Sequence, residues 1–372
     1  MKILYVIGKL DVGGAEQQLL YLSKNLVKKG FDVSIFTLKK EGKLENEFIE
    51  NKVNLSGKNY NKYAKFGLIL GAFDLISIIR KNNFDIVHFV LPEAYVIGAF
   101  CSFISPGIIR VMSRRSLNNY QNNYLLIRYI EKLLHKRMNL ILGNSKAVCK
   151  QLEEEGVPQN KLSLIYNGVE IEKYSENVIV DEAIINKNDL NLLCVANLIP
   201  YKGHIDLFNA LGLIKDKINK NWSLLLAGRD DGHGIALKGL AKELDITENV
   251  KFLGEMKNIP SLIKNCDIGL LCSHQEGFSN SILECMAGGL PMVVTDVGGN
   301  AEAVIDGQTG IVIQPKSPEQ IGNAILKLAN NESRREQMGS SAIDRIKTEF
   351  SIDKCISLYQ KLYTDLINNK HS

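Results

Sequence analysis

Apolar residues along this chain gather in short runs separated by polar stretches in which apolar positions recur every three or four residues. The short runs read as buried strands and the spaced ones as amphipathic helices. Residues 3–7 predict a first strand and residues 16–29 a helix, with Leu19, Leu20, Leu22, Leu26 and Val27 as its apolar face. A second strand is expected at 33–38. Residues 40–66 are polar and rich in Lys and Asn, and read as a long loop with fragments of helix. The alternation then resumes, with strands at 85–90, 108–113, 140–143 and 162–166. Helices are expected at 66–79, 93–103 and 125–134, and from Ser145, as cap, to 154. Residues 170–190 are charged and Asn-rich, which marks a linker. A second series follows, with strands at 191–196, 223–227, 250–253, 268–272 and 291–295. Its helices are expected at 205–214, 235–244 and 280–287. Three further helices, 317–329, 332–350 and 352–367, finish the chain. Two such series imply two α/β domains built on parallel sheets.

Length agrees, since 372 residues suit about two domains. The opening apolar run is too short for a signal peptide and is expected as a strand. No apolar run reaches the roughly 20 residues of a membrane-spanning helix; residues 94–109 come nearest, interrupted by Pro106 and Gly107. Seven Cys without a CxxC pair read as reduced thiols of a cytosolic protein rather than disulfides or zinc ligands. Charge is uneven. Residues 1–170 hold 24 Lys and Arg against 15 Asp and Glu, and the remainder hold 21 against 26. A basic first half suits a phosphate-bearing acceptor or a membrane surface, or is a solvated Lys-rich face. No nucleic-acid recognition module is seen.

The densest chemistry lies in residues 268–291. A buried strand leads to a polar turn with Glu276 and Gly277, then to a helix that Ser279 or Asn280 can cap. A helix N-terminus presents free N–H groups and partial positive charge, which suits a phosphate. Glu276 precedes that terminus and Glu284 lies inside the helix. The two carboxylates can therefore meet opposite ends of a ligand with a diphosphate in its middle, the layout of a nucleotide-sugar.

Glu276 to Glu284, with Met286-Ala287-Gly288-Gly289-Leu290-Pro291 after it, resembles the signature of retaining glycosyltransferases of family 4. The resemblance implies the GT-B fold: two Rossmann-like domains facing across a cleft, with the C-terminal helix crossing back to the first. It divides the chain into an acceptor-binding domain at 1–169, a linker at 170–190, a nucleotide-sugar-binding domain at 191–350 and the crossing helix at 351–372. It implies that Glu276 contacts the donor sugar, that Glu284 holds the ribose, and that the backbone of Gly277, Phe278, Ser279 and Asn280 meets sugar and phosphates. Gly13 and Gly14, in a Gly-Gly-Ala-Glu loop, would face acceptor and donor phosphates; by local pattern they are also a plain tight turn. Lys202 would bind the phosphates and stabilise the leaving diphosphate, and the backbone near Gly254 would face the base.

Several positions depart from the family pattern. Asn197 stands where many members have Arg, and Arg114, Arg115 or Arg229 are candidates to compensate. Val90 stands where members often have a second His, and His88, the first, reads as a satisfied buried histidine. Glu93 is a candidate for part of the acceptor-side role. Arg114 and Arg115 suit a phosphate or carboxylate, or else surface ion pairs. Asp230 and Asp231 read as a turn with an Asx cap, and Gly298-Gly299-Asn300 as a helix start or a second phosphate contact. No metal and no cofactor is expected.

The expected reaction is retaining transfer of a hexose-type sugar, from a UDP-sugar before others, to a glycan or lipid-linked glycan in polysaccharide biosynthesis. Lipopolysaccharide is one such product. The expected location is the cytoplasm, peripheral to the anionic inner face of the membrane. The alternatives are a GT-B sugar-nucleotide epimerase, which turns over without acceptor, and a non-catalytic nucleotide-sugar-binding protein, which binds donor and transfers nothing.

Overall fold

The computed structural model describes residues 1–60, 67–117, 124–174, 185–256 and 258–371. Phe66 and residues 175–184 of the expected linker lie outside the described residues. The chain divides into two units, one of residues 1–167 with 353–372 and one of residues 168–352.

The first unit runs β1 (Lys2–Lys9), α1 (Gly14–Lys28), β2 (Asp32–Lys39), α2 (Glu45–Glu50), β3 (Asn54–Gly57), α3 (Gly67–Asn82) and β4 (Ile86–Val90). It continues with α4 (Pro92–Ser102), β5 (Ile109–Arg114), α5 (Leu125–His135), β6 (Leu140–Gly143), α6 (Lys146–Glu154) and β7 (Leu162–Leu164). The strands form a parallel sheet of order β3-β2-β1-β4-β5-β6-β7. Helices α3, α4 and α5 pack side by side, because right-handed crossovers put connections running in one direction on one face. Ser145 caps α6 as its position suggests, its Oγ accepting from Val148 N at 3.1 Å. The expected long loop at 40–66 instead holds α2 and β3. Strand β3 is an edge strand paired to β2 alone, and an edge needs no continuous apolar run.

The second unit runs β8 (Leu190–Val195), α7 (His204–Ile214), β9 (Trp222–Ala227), α8 (Gly234–Glu243), β10 (Val250–Gly254), α9 (Ile259–Lys264) and β11 (Ile268–Leu271). It continues with α10 (Asn280–Ala287), β12 (Met292–Thr295), α11 (Asn300–Ala303), β13 (Gly310–Ile313), α12 (Pro318–Ala329) and α13 (Glu332–Glu349). Its sheet is also parallel, of order β10-β9-β8-β11-β12-β13. Short α9 and β13 were absent from the sequence expectation.

The last helix, α14 (Ile352–His371), packs from residue 353 onward with the first unit. Its Tyr363 hydroxyl bonds Tyr5 Oη at 2.8 Å and His88 Nδ1 at 2.6 Å. Tyr5 and His88 are register partners on adjacent strands β1 and β4, so the helix is tied to the centre of the sheet.

Candidate active site

In an open parallel sheet, a crevice forms at the carboxyl edge where strand order reverses. In the second unit that point lies between β8 and β11. The loops leaving these strands carry Lys202 and Glu276, and the two side chains meet there: Lys202 Nζ lies 2.6 Å from Glu276 Oε1. Ser273 Oγ donates to the same carboxylate oxygen at 2.7 Å. Both charged groups are mostly buried. Burial opposes the ammonium charge, but Glu276 more than offsets it, and the Lys202 pKa is held above the usual lysine value.

Backbone packing sets this geometry. His274 N donates to Tyr201 O at 2.7 Å, joining the two loops. Gly203 has φ +72, and a Cβ there would lie 1.9 Å from Cys272 O. On the other side, Gly299 N donates to Gly277 O at 2.8 Å. Gly298 has φ +54, and a Cβ would lie 1.9 Å from Glu276 O. The 298–300 segment therefore buttresses the Glu276 loop, a role its sequence did not disclose.

Ser279 occupies the N-cap position of α10, but its side chain makes no capping bond; its Oγ pairs with Ser281 Oγ at 3.0 Å. The first amides of α10 thus receive no cap from Ser279. Phe278 is expected to meet the ligand through its backbone. The ring is buried 5.4 Å from Phe350, so only its backbone can face a ligand. Glu284 is half-buried on α10 and has no hydrogen-bonding side-chain partner among the described residues. Burial, eased by the Lys173 charge, raises its pKa to about 7. Gly254 ends β10 at the same edge, exposed.

Asn197 Oδ1 accepts from Arg229 N at 3.1 Å, and its Nδ2 donates to Asp231 Oδ2 at 3.3 Å. Arg229 grips Asp231 through Nε at 2.6 Å. Of the three candidate arginines, Arg229 is the one beside Asn197. Asp230 Oδ1 accepts from the amides of Gly232, His233 and Gly234, so it is an Asx cap.

In the first unit, order reverses between β1 and β4. Gly13 is the N-cap of α1 and Gly14 opens it. The Glu16 carboxylate folds back on this end, so that a Cβ on Gly13 would lie 2.5 Å from Glu16 Oε2. Burial raises the Glu16 pKa. Glu93 stands exposed across the same crevice, where a Cβ on Gly8 would lie 3.1 Å from its Oε2. Leu91, between β4 and Glu93, has φ 72 and ψ 153. That region is costly for a residue with a side chain, and doubly unusual before Pro92.

Arg114 must be withdrawn from the acceptor side. Its guanidinium is buried, 2.5 Å from Glu155 and 3.5 Å from Glu131, with His135 on the other Glu155 oxygen at 3.1 Å. Removing one partner of such a cluster costs about 3–5 kcal/mol, so the arginine serves the fold. Arg115 turns to the fold as well, donating to Asn167 Oδ1 at 2.9 Å and Tyr359 Oη at 3.3 Å. His88 is buried between Tyr363 and Ser113 Oγ, the latter at 2.6 Å. Burial, with the Arg115 charge, pushes its pKa down to about 3, which agrees with a satisfied neutral histidine.

Two parallel α/β units with a charged pair at a strand-order reversal are the architecture of the GT-B class. HepE from Anabaena, solved with UDP and glucose, matches 98% of this chain and 100% of its own, with TM-score 0.86 and 21% identity. Two family models match: Glycosyltransferase Family 4 over residues 12–173 and Glycosyl transferases group 1 over residues 176–345. The chain belongs to these glycosyltransferases. The N-acetyl-alpha-D-glucosaminyl L-malate synthase of Bacillus anthracis is 25% identical over 96% of each chain. A Campylobacter jejuni enzyme, N,N'-diacetylbacillosaminyl-diphospho-undecaprenol alpha-1,3-N-acetylgalactosaminyltransferase, is 27% identical over 82% of this chain and 83% of its own.

Proposed function

We propose that the protein transfers a hexose-type sugar from a UDP-sugar to a lipid-linked glycan, with retention at the anomeric carbon. The observation that carries this reading is the Lys202–Glu276 pair in front of α10, with half-buried Glu284 behind it. A diphosphate at the start of α10 meets the positive end of the helix dipole and the Lys202 ammonium. Glu276, already holding that ammonium, accepts from hydroxyls of the sugar. Glu284 accepts from the ribose. HepE's complex with UDP and glucose favours uridine, and the diphospho-undecaprenol in the Campylobacter enzyme's name favours a lipid-linked acceptor.

Glu276 is engaged by Lys202 and Ser273, which makes it a poor nucleophile. In the proposed step the bond from the anomeric carbon to the diphosphate breaks, the acceptor hydroxyl's oxygen bonds that carbon on the same face, and the departing diphosphate oxygen takes the hydroxyl's proton. Lys202 and the α10 amides hold the charge that develops on the diphosphate. Glu93 orients the acceptor. These groups supply the charge compensation without a metal ion or cofactor. No described helix is long and apolar enough to cross a membrane, so contact with the inner membrane face would be peripheral.

The test is calorimetry with UDP-, GDP- and ADP-sugars, with and without EDTA. One UDP-sugar should bind tightly, EDTA should change nothing, and Glu284→Ala should abolish binding. No binding across the panel would sink the reading. Transfer is then assayed with a polyprenyl-diphosphate sugar and with L-malate, the acceptor in the Bacillus enzyme's name. An inverted anomeric centre in the product, read by NMR, would remove retention.

A further inference from the structure

On α5, at 100° per residue, Leu125, Leu126, Tyr129 and Leu133 form one stripe. They face solvent, with Leu125 69%, Leu126 72% and Tyr129 63% exposed. The opposite side of the helix holds Leu134 and His135, both buried. A surface helix ordinarily turns its apolar stripe inward and its polar face out. Here apolar residues lie on both sides.

The charges are sorted as well. The acid of this helix, Glu131, is buried against Arg114. Arg128 and Lys132 flank the exposed stripe, and Lys136 and Arg137 follow at its end. None of these four cations forms an ion pair among the described residues. The solvent side of α5 is therefore apolar and uniformly positive.

We propose that α5 is a docking helix that lays the first unit on an anionic lipid surface. Leucine and tyrosine flanked by Lys and Arg suit the boundary between acyl chains and phosphate headgroups. A second copy of the chain would bring the same cations face to face, which disfavours self-association. Position supports the assignment. A helix that follows a strand of a parallel sheet starts at the carboxyl edge, so α5 begins on the same edge as Glu93. The first turns of α3 begin there too and expose Leu68 and Phe73. Docking would bring this edge to the plane in which a lipid-linked acceptor lies; that consequence rests on the acceptor reading above, while the docking itself does not.

The experiment is co-sedimentation of the full chain with vesicles of phosphatidylglycerol in phosphatidylcholine, and with phosphatidylcholine alone. Leu126→Glu/Tyr129→Glu and Arg128→Glu/Lys132→Glu are compared with wild type, with UDP-glucose binding measured on each. Wild type should bind the anionic vesicles, and weaken about tenfold or more as salt rises from about 0.05 to about 0.5 M. Each double variant should bind them about tenfold more weakly or worse, with nucleotide binding unchanged. Wild type that ignores anionic vesicles, or variants that bind them as well as wild type, would overturn the assignment. So would a concentration-dependent dimer of wild type that the same variants dissolve. Failure of wild type to bind any of the UDP-, GDP- and ADP-sugars would strike the proposed function instead, and the vesicle result would still judge α5.

Discussion

Glu284 shows how one carboxylate reports on its surroundings. Burial raises its pKa to about 7, because a carboxylate drawn away from water is poorly solvated. A folded pKa raised above the unfolded value means a contribution to stability that is full below the unfolded pKa of the carboxyl. It is lost as pH rises through about 7. For binding the sign reverses, since ribose hydroxyls donate and the ionised form accepts them best. A UDP-sugar, whose diphosphate does not titrate in this range, should therefore bind about tenfold more tightly at pH 8 than at pH 6. Calorimetry on Glu284→Gln should show a flat profile. An equally steep profile in that variant would place the titrating group elsewhere.

Elements explain why the site holds its shape. The Glu276 loop is held between Gly203 on one side and Gly298 on the other, both with positive φ. Gly298→Ala should cost more than the about 1–3 kcal/mol of a strained backbone, because its Cβ would also meet Glu276 O. Gly307→Ala is the control, since Gly307 shares the positive φ but has open space around it. Thermal unfolding should fall by about 4 °C or more for Gly298→Ala, at roughly 2–4 °C per kcal/mol for a unit of this size, and by less for Gly307→Ala. Equal losses would mean that the close approach is relieved locally.

The same elements mark how far the sequence could be read. Apolar runs disclosed the central strands, which are buried on both faces, and hence the reversal points that bring Lys202 to Glu276. They did not disclose β3, whose edge position asks little of its residues. Nor could they separate Arg114 from Arg115. Adjacent strand residues point to opposite faces, and only the packing of α5 and α6 makes Arg114 the centre of a buried ion cluster. Leu91 was silent for another reason: its strained dihedrals are imposed by the surrounding fold and leave no mark on residue type.

At the scale of the molecule, the first unit is assembled from both ends of the chain. The Tyr5–Tyr363 hydrogen bond joins residues 358 positions apart. Tyr363→Phe would leave Tyr5 and His88 buried without that hydroxyl, at a cost of about 1–3 kcal/mol. Urea unfolding should show the loss in the transition that includes α14, and an unchanged midpoint would mean that the tie is idle. The second unit is continuous from 168 to 352. Domains commonly complete themselves in the order in which a ribosome delivers them. Here the order is inverted: β1 leaves the exit tunnel early and waits, while every strand of the second sheet is made before Tyr363 is translated. The part of the protein begun first is the part finished last.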